Sequence, residues 1–409
     1  MDSHDLGTAF LVLGGLLMAG ALISGLTQRS FLALTPVFVV AGFLLGDDVS
    51  GVLSFDPTGD FVTTLAILAL VLILFRDGLE VETEMLRDEW HLPFRKLVLA
   101  MPLTAGIVAV AAHLLTDLSW TESFLLGALL APTDPVLSSG VVTNPRVPRV
   151  VRHSLNLESG LNDGLALPAV LALIAALNAG DDNFVWWEFV LKDVTLGLVF
   201  GGVVGFVGAR LLPRLTVSDH PIPDHQKALY ALGVAFVAYG LAVLEPTGNG
   251  LVSVFVCAIT FGILRPDLGE YFEDRAEDIV EIVKLAIFVV FGSLLTLDGL
   301  FSDGWAAVAI VAIALLVARP AAVFGALAGT GVSTATKAFM AWFGPKGVAT
   351  MTFSLLVLAE GFGDSARIFN IAALCVFVSI IVHGLSDTPG VAWIGRRSPA
   401  EDEAPRMRG

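Results

Sequence analysis

The sequence predicts an all-α polytopic membrane protein with about thirteen transmembrane helices. Of its 409 residues, 56% are hydrophobic and only 15% are charged, whereas soluble globular chains carry roughly 25% charged residues. Apolar runs of about 20 residues, the length that crosses a bilayer, recur from one end of the chain to the other. Proline and glycine interrupt two of these runs next to polar residues. Together these observations place most of the protein surface in lipid.

Hydropathy gives the boundaries of the predicted spans. They are residues 8–26, 31–46, 61–75, 97–115, 121–142, 156–179, 189–212, 227–244, 249–264, 280–297, 304–329, 336–359 and 366–386. No soluble segment separates them, so residues 1–387 are predicted to form one transmembrane domain. Residues 388–409 are mostly polar and are predicted to be a short, disordered cytoplasmic tail.

The charged residues between the spans predict the orientation. One set of alternating loops holds most of the arginines and lysines, including Arg95, Lys96 and Arg146. The other set holds acidic residues such as Asp47 and Asp298 and contains no lysine or arginine. Because cytoplasmic loops are enriched in lysine and arginine, the N-terminus is predicted to lie outside the plasma membrane and the C-terminus inside.

Composition and motifs argue against several classes of function. The formal net charge is −16, with 39 acidic and 23 basic residues, so nucleic acid is not an expected partner. No P-loop indicates a nucleotide site, and no HExxH motif indicates a metalloprotease. Cys257 and Cys375 lie in apolar runs without paired spacing, which argues against a disulfide or a cysteine metal site. No cofactor is expected, and an enzyme is disfavoured.

The two interrupted spans are 121–142, which contains Pro132 and Pro135, and 336–359, whose middle reads Gly344–Pro345–Lys346–Gly347. Proline lacks the backbone N–H that continues a helix. In lipid, such breaks persist only where they are buried in protein or line a cavity. Two broken helices in separate halves are typical of a transporter binding site. Proline kinks that serve only packing are the alternative, and the polar residues at both breaks argue against it.

The densest group of polar residues within the spans contains Glu158, Ser159, Asn162 and Asp163. The pairs Glu158/Asn162 and Ser159/Asp163 are spaced i, i+4, so the four side chains are predicted to share one helical face. Carboxylate, hydroxyl and amide oxygens suit small hard cations. A polar strip that joins two helices is the alternative, but two acids about a turn apart are costly in a membrane and indicate function.

Thr133 and Asp134 lie in the first interruption. The break frees backbone carbonyls, and Thr133 adds a hydroxyl group to them. Two roles are possible for Asp134, and one residue can fill both. It can cap the broken helix by accepting from orphan N–H groups, or it can bind a cation.

Arg319 and Lys346 need partners, because a buried unpaired cation is very unfavourable. Arg319 is predicted to pair with Glu158, and Lys346 to balance charge around the break. Asp163 then remains as the acid that can titrate. A carboxylate that holds either a proton or a cation gives exchange by competition.

Several motifs in a fixed order resemble one family. They are Phe75–Glu80, Ala131–Val136, Glu158–Gly164, Ala318–Pro320, Phe343–Gly347 and His383–Leu385. The ordered set resembles the monovalent cation/proton antiporter family of the NhaP and Na⁺/H⁺ exchanger type, over nearly all of the chain.

The resemblance implies an inverted-repeat antiporter fold whose broken helices cross in the core. A dimerisation part and an ion-binding core part would be interleaved within residues 1–387, the protein would be a homodimer, and the core would move like an elevator. Asp163, Ser159 and Thr133 would bind Na⁺, supported by Asn162, and Asp134 would lie in the unwound crossing. Asn162 followed by Asp163 resembles the electroneutral branch of the family.

The expected function is electroneutral exchange of Na⁺ or Li⁺ for H⁺ across the plasma membrane. A K⁺/H⁺ antiporter on the same fold remains open, and a cation channel or sensor is a further alternative. The chain departs from the family pattern at Lys346, where many relatives have arginine, and at Gly160, where a bulkier residue is commoner. Lysine cannot form the bidentate pairs of arginine.

Overall fold

The computed structural model describes residues 34–79, 90–134, 139–180, 184–212, 223–244 and 248–397, together with residues 11, 14, 15, 18 and 81. Across these residues the regular structure is helical, without a β-strand. The predicted first span, residues 8–26, lies almost entirely outside the described part of the chain.

The helices that position the rest of the molecule are numbered in chain order. They are α1 (Leu34–Leu45), α2 (Asp60–Leu79), α3 (His91–Leu115), α4 (Trp120–Leu130), α5 (Ser139–Val142), α6 (Arg149–Ala179), α7 (Trp186–Leu211), α8 (Asp224–Val243), α9 (Gly250–Leu264), α10 (Pro266–Ser293), α11 (Leu297–Leu300), α12 (Trp305–Ala326), α13 (Thr334–Trp342), α14 (Val348–Glu360) and α15 (Ser365–Arg397).

Each predicted span from 31–46 onward coincides with one of these helices or, at the two interruptions, with helical segments on either side of the break. Seven of the described helices are long and apolar enough to cross a membrane. The all-helical class is therefore confirmed for the described residues, while the total of about thirteen spans stays a prediction.

Several helix boundaries differ from the predicted ones. Helix α3 begins at His91 rather than at residue 97, and α6 begins at Arg149 rather than at residue 156. Helix α15 continues to Arg397 and buries Val391 and Ile394, so predicted disorder is wrong for residues 388–397. Hydropathy marks only the apolar part of a helix, whereas backbone hydrogen bonding continues through the polar turns beyond it. Residues 398–409 lie outside the described part.

The helices pack in two groups. In one, α7 packs along α9, α1 along α10, and α8 against both α9 and α10. In the other, α3, α4, α6, α12, α13, α14 and α15 surround the two interruptions. Gly197, Gly201 and Gly205 on α7 let the α9 backbone approach closely, since an added Cβ at each would meet a carbonyl oxygen of α9 or the residue that precedes it. Helix α2 contacts both groups, because it packs on α9 and α10 and also on α6 and α14.

The two predicted interruptions are present, and they contact each other. The backbone is not helical over 131–134, after α4, and over 343–347, between α13 and α14. The Asp134 N–H donates to the Pro345 carbonyl oxygen at 2.8 Å. The Lys346 N–H donates to Ser379 Oγ of α15, also at 2.8 Å. Each break thus meets polar partners in the interior, as backbone within a membrane requires. Pro135 lies outside the described residues.

Candidate cation-binding site

Helix α6 carries the polar face that faces the crossing of the two breaks. Glu158, Asn162 and Asp163 are all buried, and Ser159 is half-buried on the same helix. Asn162 Nδ2 donates to the Thr133 carbonyl oxygen at 2.6 Å and lies 3.3 Å from Thr133 Oγ1. These bonds orient the amide so that Asn162 Oδ1 is buried without a hydrogen-bond partner among the described residues. An oxygen in this situation is available to a ligand.

Asp163 lies next to two other carboxylates. Its Oδ1 is buried and has no donor in the described part of the chain. The carboxyl groups of Asp77 on α2 and of Asp134 in the crossing are close enough to act on it electrostatically, and Asp77 interacts with it directly. We call Asp77, Asp134 and Asp163 the carboxylate cluster. Carboxylates grouped out of water repel one another unless a positive charge joins them.

Asp77 is the member of the carboxylate cluster that the sequence interpretation did not assign. It is only 4% exposed, and Arg76 Nη2 contacts its Oδ1 at 2.6 Å. The predicted span ended at residue 75, but α2 continues to Leu79 and carries Asp77 into the interior. An acid just beyond a long apolar run, within the motif Phe75–Glu80, was the available signal.

Asp134 caps the second broken helix. Its Oδ2 accepts from the Val348 N–H at 3.1 Å, at the first residue of α14. The preceding residue is Gly347, where an added Cβ would collide with the Asp134 carboxylate, so this contact requires glycine. The capping interpretation of Asp134 therefore has a geometric basis. Its interpretation as a cation ligand stays a proposal.

Lys346 is fully buried and neutralises the end of the first broken helix. Its Nζ donates to the carbonyl oxygens of Ala131 at 3.2 Å and Pro132 at 3.0 Å. These carbonyls follow the last residue of α4, where the helix dipole is negative and helical partners are missing. A compact ammonium group suits this position, because separate carbonyls do not need the bidentate fork of arginine.

Glu158 lies in a different environment from Asp163. Arg319 Nη1 contacts its Oε1 at 3.0 Å, which is the pairing that the sequence predicts. Lys96 Nζ contacts its Oε2 at 2.6 Å and also donates to the Ser154 carbonyl oxygen at 3.1 Å. All three charged side chains are buried. The prediction that Lys96 lies in a loop is wrong, because α3 begins before it.

A further charged network lies at the start of α15. Arg367 contacts Asp303 at 2.5 Å and Asp117 at 2.6 Å. Asp117 is in the connection between α3 and α4, and the hydrogen bond from Arg367 lowers the pKa of its carboxyl group. Asp364 precedes α15, and burial, with a contribution from nearby Glu122, raises the pKa of its carboxyl group.

Among the described residues, no three His, Cys, Asp or Glu side chains form a group that could hold a metal ion by themselves. A cation beside Asp163 would therefore need amide, hydroxyl or backbone oxygens as well. Asn162 Oδ1 and the oxygens of Thr133 lie on this side of the crossing. Such a mixed oxygen set suits a cation that binds and leaves.

Apolar helices, two crossed helix breaks and a buried carboxylate beside them define a secondary transporter of ions. The family model described as sodium/hydrogen exchanger, transmembrane, matches residues 15–393. The chain belongs to this family and is a multi-pass monovalent cation/proton antiporter of the NhaP type. The predicted family resemblance is therefore confirmed.

Individual relatives support the same assignment. The K⁺/H⁺ antiporter NhaP of Alkalimonas amylolytica is 25% identical over 394 residues, which are 96% of this chain and 67% of that protein. The Na⁺/H⁺ antiporter NhaG of Bacillus atrophaeus is 26% identical over 414 residues, covering 97% and 77%. The fold is similar to that of the sodium proton antiporter MjNhaP1 from Methanocaldococcus jannaschii at pH 8, with a TM-score of 0.80, 18% identity, and coverage of 96% of this chain and 99% of that chain.

Proposed function

We propose that this antiporter exchanges Na⁺ or Li⁺ for H⁺ across the plasma membrane, with the cation and the proton competing for Asp163. The observation that carries the proposal is the buried Asp163 Oδ1, which has no donor among the described residues and lies beside two other carboxylates. A negative charge in this position is opposed by Asp77 and Asp134, and the cation nearby, Arg76, contacts Asp77, so the charge needs a further partner. A proton or a cation can supply it, and the two exclude each other.

The proposed cation ligands are oxygens of Asp163, Thr133 and Ser159, with Asn162 and Asp134 at the edge of the site. The unpartnered Asn162 Oδ1 supports a direct role for the amide. We add Asp77 to this proposed set, because its carboxyl group interacts with that of Asp163. Each ligand type is an oxygen donor, as hard cations require.

Exchange of one proton for one monovalent cation leaves the charge of the site unchanged, which supports an electroneutral cycle. The position of the carboxylate cluster supports elevator-type movement. Asp77 belongs to α2, which packs on both helix groups, whereas Asp134 and Asp163 belong to the group around the crossing. Sliding of that group past α2 would open the site to each side in turn. We also propose that the protein is a homodimer in which each N-terminus lies outside the membrane and each C-terminus lies in the cytoplasm.

K⁺/H⁺ exchange is the second candidate function. Similar proteins from Alkalimonas amylolytica and from Shewanella species carry the name K⁺/H⁺ antiporter. The carboxylate cluster favours Na⁺ and Li⁺ instead, since a full negative charge attracts the smaller cation more strongly at its closer approach.

Proton movement driven by Na⁺, Li⁺ or K⁺ in proteoliposomes that hold a pH gradient tests both candidates, with wild type beside Asp163→Asn. We expect proton efflux with Na⁺ and Li⁺ and its loss in the folded variant. Efflux driven by K⁺ alone would replace the sodium proposal with the potassium one. Full activity in Asp163→Asn would contradict the competition at Asp163 with either cation.

A further inference from the structure

Two helices that bring cations to Glu158 share an unusual local geometry. Helix α3 has a π-helical turn at Lys96–Ala100, and α12 has one at Ala314–Ala318, directly before Arg319. A π-helical turn takes up an extra residue and changes the direction of the side chains beside it, and such turns are frequent at functional sites. Lys96 is the first residue of one turn and Arg319 directly follows the other, and both buried cations contact Glu158.

The two turns also bring their helices together. The end of α12 that begins at Arg319 packs against the π-helical turn of α3. Arg95, beside Lys96, donates from Nε to the Ala326 carbonyl oxygen at 2.6 Å, at the end of α12. Helices from the first and second halves of the chain are thus joined at the point where both reach α6.

Lys96 holds α6 at two levels. Its Nζ bonds the Ser154 carbonyl oxygen and, one turn later, the Glu158 carboxylate. Asn162 lies one turn further along the same helix, and Asp163 follows it. Arg319 donates to the other oxygen of Glu158 at 3.0 Å and, at 3.4 Å, to the oxygen that Lys96 contacts. Because Lys96 and Arg319 come from two neighbouring helices and both bond the Glu158 carboxylate, α6 has little freedom to rotate or slide relative to α3 and α12.

We propose that Lys96 is a positioning residue for cation exchange, and that the clamp of Lys96, Glu158 and Arg319 fixes the rotation of α6 that directs Asn162 and Asp163 at the crossing. This inference rests on the function proposed above. Lys96 acts through Glu158, and it does not touch the transported ion. Loss of outer groups that orient ligands typically weakens ion binding 10- to 100-fold.

The test measures the KM for Na⁺ and the maximal exchange rate in proteoliposomes for Lys96→Met. Lys192→Met is the matched control, because Lys192 also lies in a π-helical turn, Val190–Val194, but is exposed. We expect the KM to rise on the order of tenfold in Lys96→Met and to stay unchanged in Lys192→Met. Lys96→Arg, which keeps the charge, should recover part of the affinity. If Lys96→Met does not fold, Lys96→Gln is measured instead, and we expect the same rise in KM.

A double variant separates positioning from general destabilisation. If Lys96 acts through Glu158, then Lys96→Met should raise the KM no further in a Glu158→Gln background, because coupled residues are not additive. An unchanged KM in folded Lys96→Met, or a fully additive increase, would overturn the inference while exchange by the wild type upholds the proposed function. Absence of exchange in the wild type with every cation would overturn both.

Discussion

Glu158 and Asp163 are buried acids on α6, five residues apart, and their surroundings are opposite. Both oxygens of Glu158 contact buried cations, because Arg319 donates to both of them and Lys96 to one. Asp163 has an oxygen without a donor in the described residues, and two of the charged groups that act on it are carboxylates, beside the single cation Arg76. The partners of a buried acid, rather than its burial, therefore distinguish the paired Glu158 from Asp163, for which we propose the exchanging role.

The difference arises from the helices that reach each level of α6. At Glu158, α3 and α12 each supply a cation beside a π-helical turn. At Asp163, α2 supplies Asp77 and the crossing supplies Asp134. The crossing also contains Lys346, but its ammonium group is engaged by the carbonyls of Ala131 and Pro132.

The largest difference in stability should come from removing the charge of Glu158. Glu158→Gln strands Lys96 and Arg319 in the interior, and breaking a buried pair costs about 3–5 kcal/mol. We expect a clear fall in melting temperature in detergent, measured by intrinsic fluorescence.

Two matched variants sharpen this prediction. Asp47→Asn changes an exposed acid that accepts a hydrogen bond from Ser54 Oγ at 3.0 Å. Surface substitutions of this kind change stability by about 0.5 kcal/mol or less, so its melting temperature should change little. Asp163→Asn should not lower the melting temperature, because it removes a carboxylate that repels its neighbours. Equal losses of stability in Glu158→Gln and Asp163→Asn would refute the distinction between the two acids.

A smaller effect, on affinity, is expected at Asp77. Asp77→Asn removes one carboxylate from the cluster but leaves Asp163 to exchange the proton, so the KM for Na⁺ should rise on the order of tenfold, equivalent to about 1.4 kcal/mol, while exchange persists. Asp60→Asn, an exposed position on the same helix, is the control for the assay of exchange against Na⁺ concentration. A KM equal to that of Asp60→Asn would remove Asp77 from the proposed ligand set.

The smallest effect is expected in the network at the start of α15, where Asp117 is exposed. Because Arg367 lowers the pKa of Asp117 in the folded chain, this contact stabilises the protein above the unfolded pKa of about 3.9. The stabilisation is lost as the pH falls through the lowered pKa. The melting temperature of Asp117→Asn should therefore lie slightly below that of wild type near pH 7 and approach it in acid.

Asp364→Asn should show the opposite trend. Burial raises the pKa of Asp364 in the folded chain, so its charged form opposes folding as the pH rises through the interval between the unfolded and folded pKa values. The variant should gain melting temperature relative to wild type above that interval. The same pH trend in Asp117→Asn and Asp364→Asn would contradict these assignments.

The sequence permitted prediction of the features that depend on local pattern. Apolar length predicted the helices from residue 31 onward, because the bilayer fixes how many apolar residues a span needs. Proline and glycine located the two breaks, since each changes what the backbone can form at its own position. The contact between Arg319 and Glu158 was predictable because a buried cation needs an acidic partner.

Helix boundaries, and contacts between residues that are distant in the sequence, were harder to predict. Hydropathy ended the span of α2 before Asp77 and started that of α3 after Lys96, because it records lipid contact and does not follow helical hydrogen bonding. Both residues then looked like loop charges. Their burial depends on α9, α10 and α14 around Asp77 and on α6 and α12 around Lys96.

The sequence by itself thus determined an all-helical antiporter with two interrupted helices and a polar face on α6. Only the tertiary structure decided that Lys96 joins Glu158, that Asp77 joins Asp163, and that Asp134 caps α14. The reason is that helical periodicity and apolar length act over one or two turns, whereas the charge balance of a buried group depends on residues brought together from distant parts of the chain.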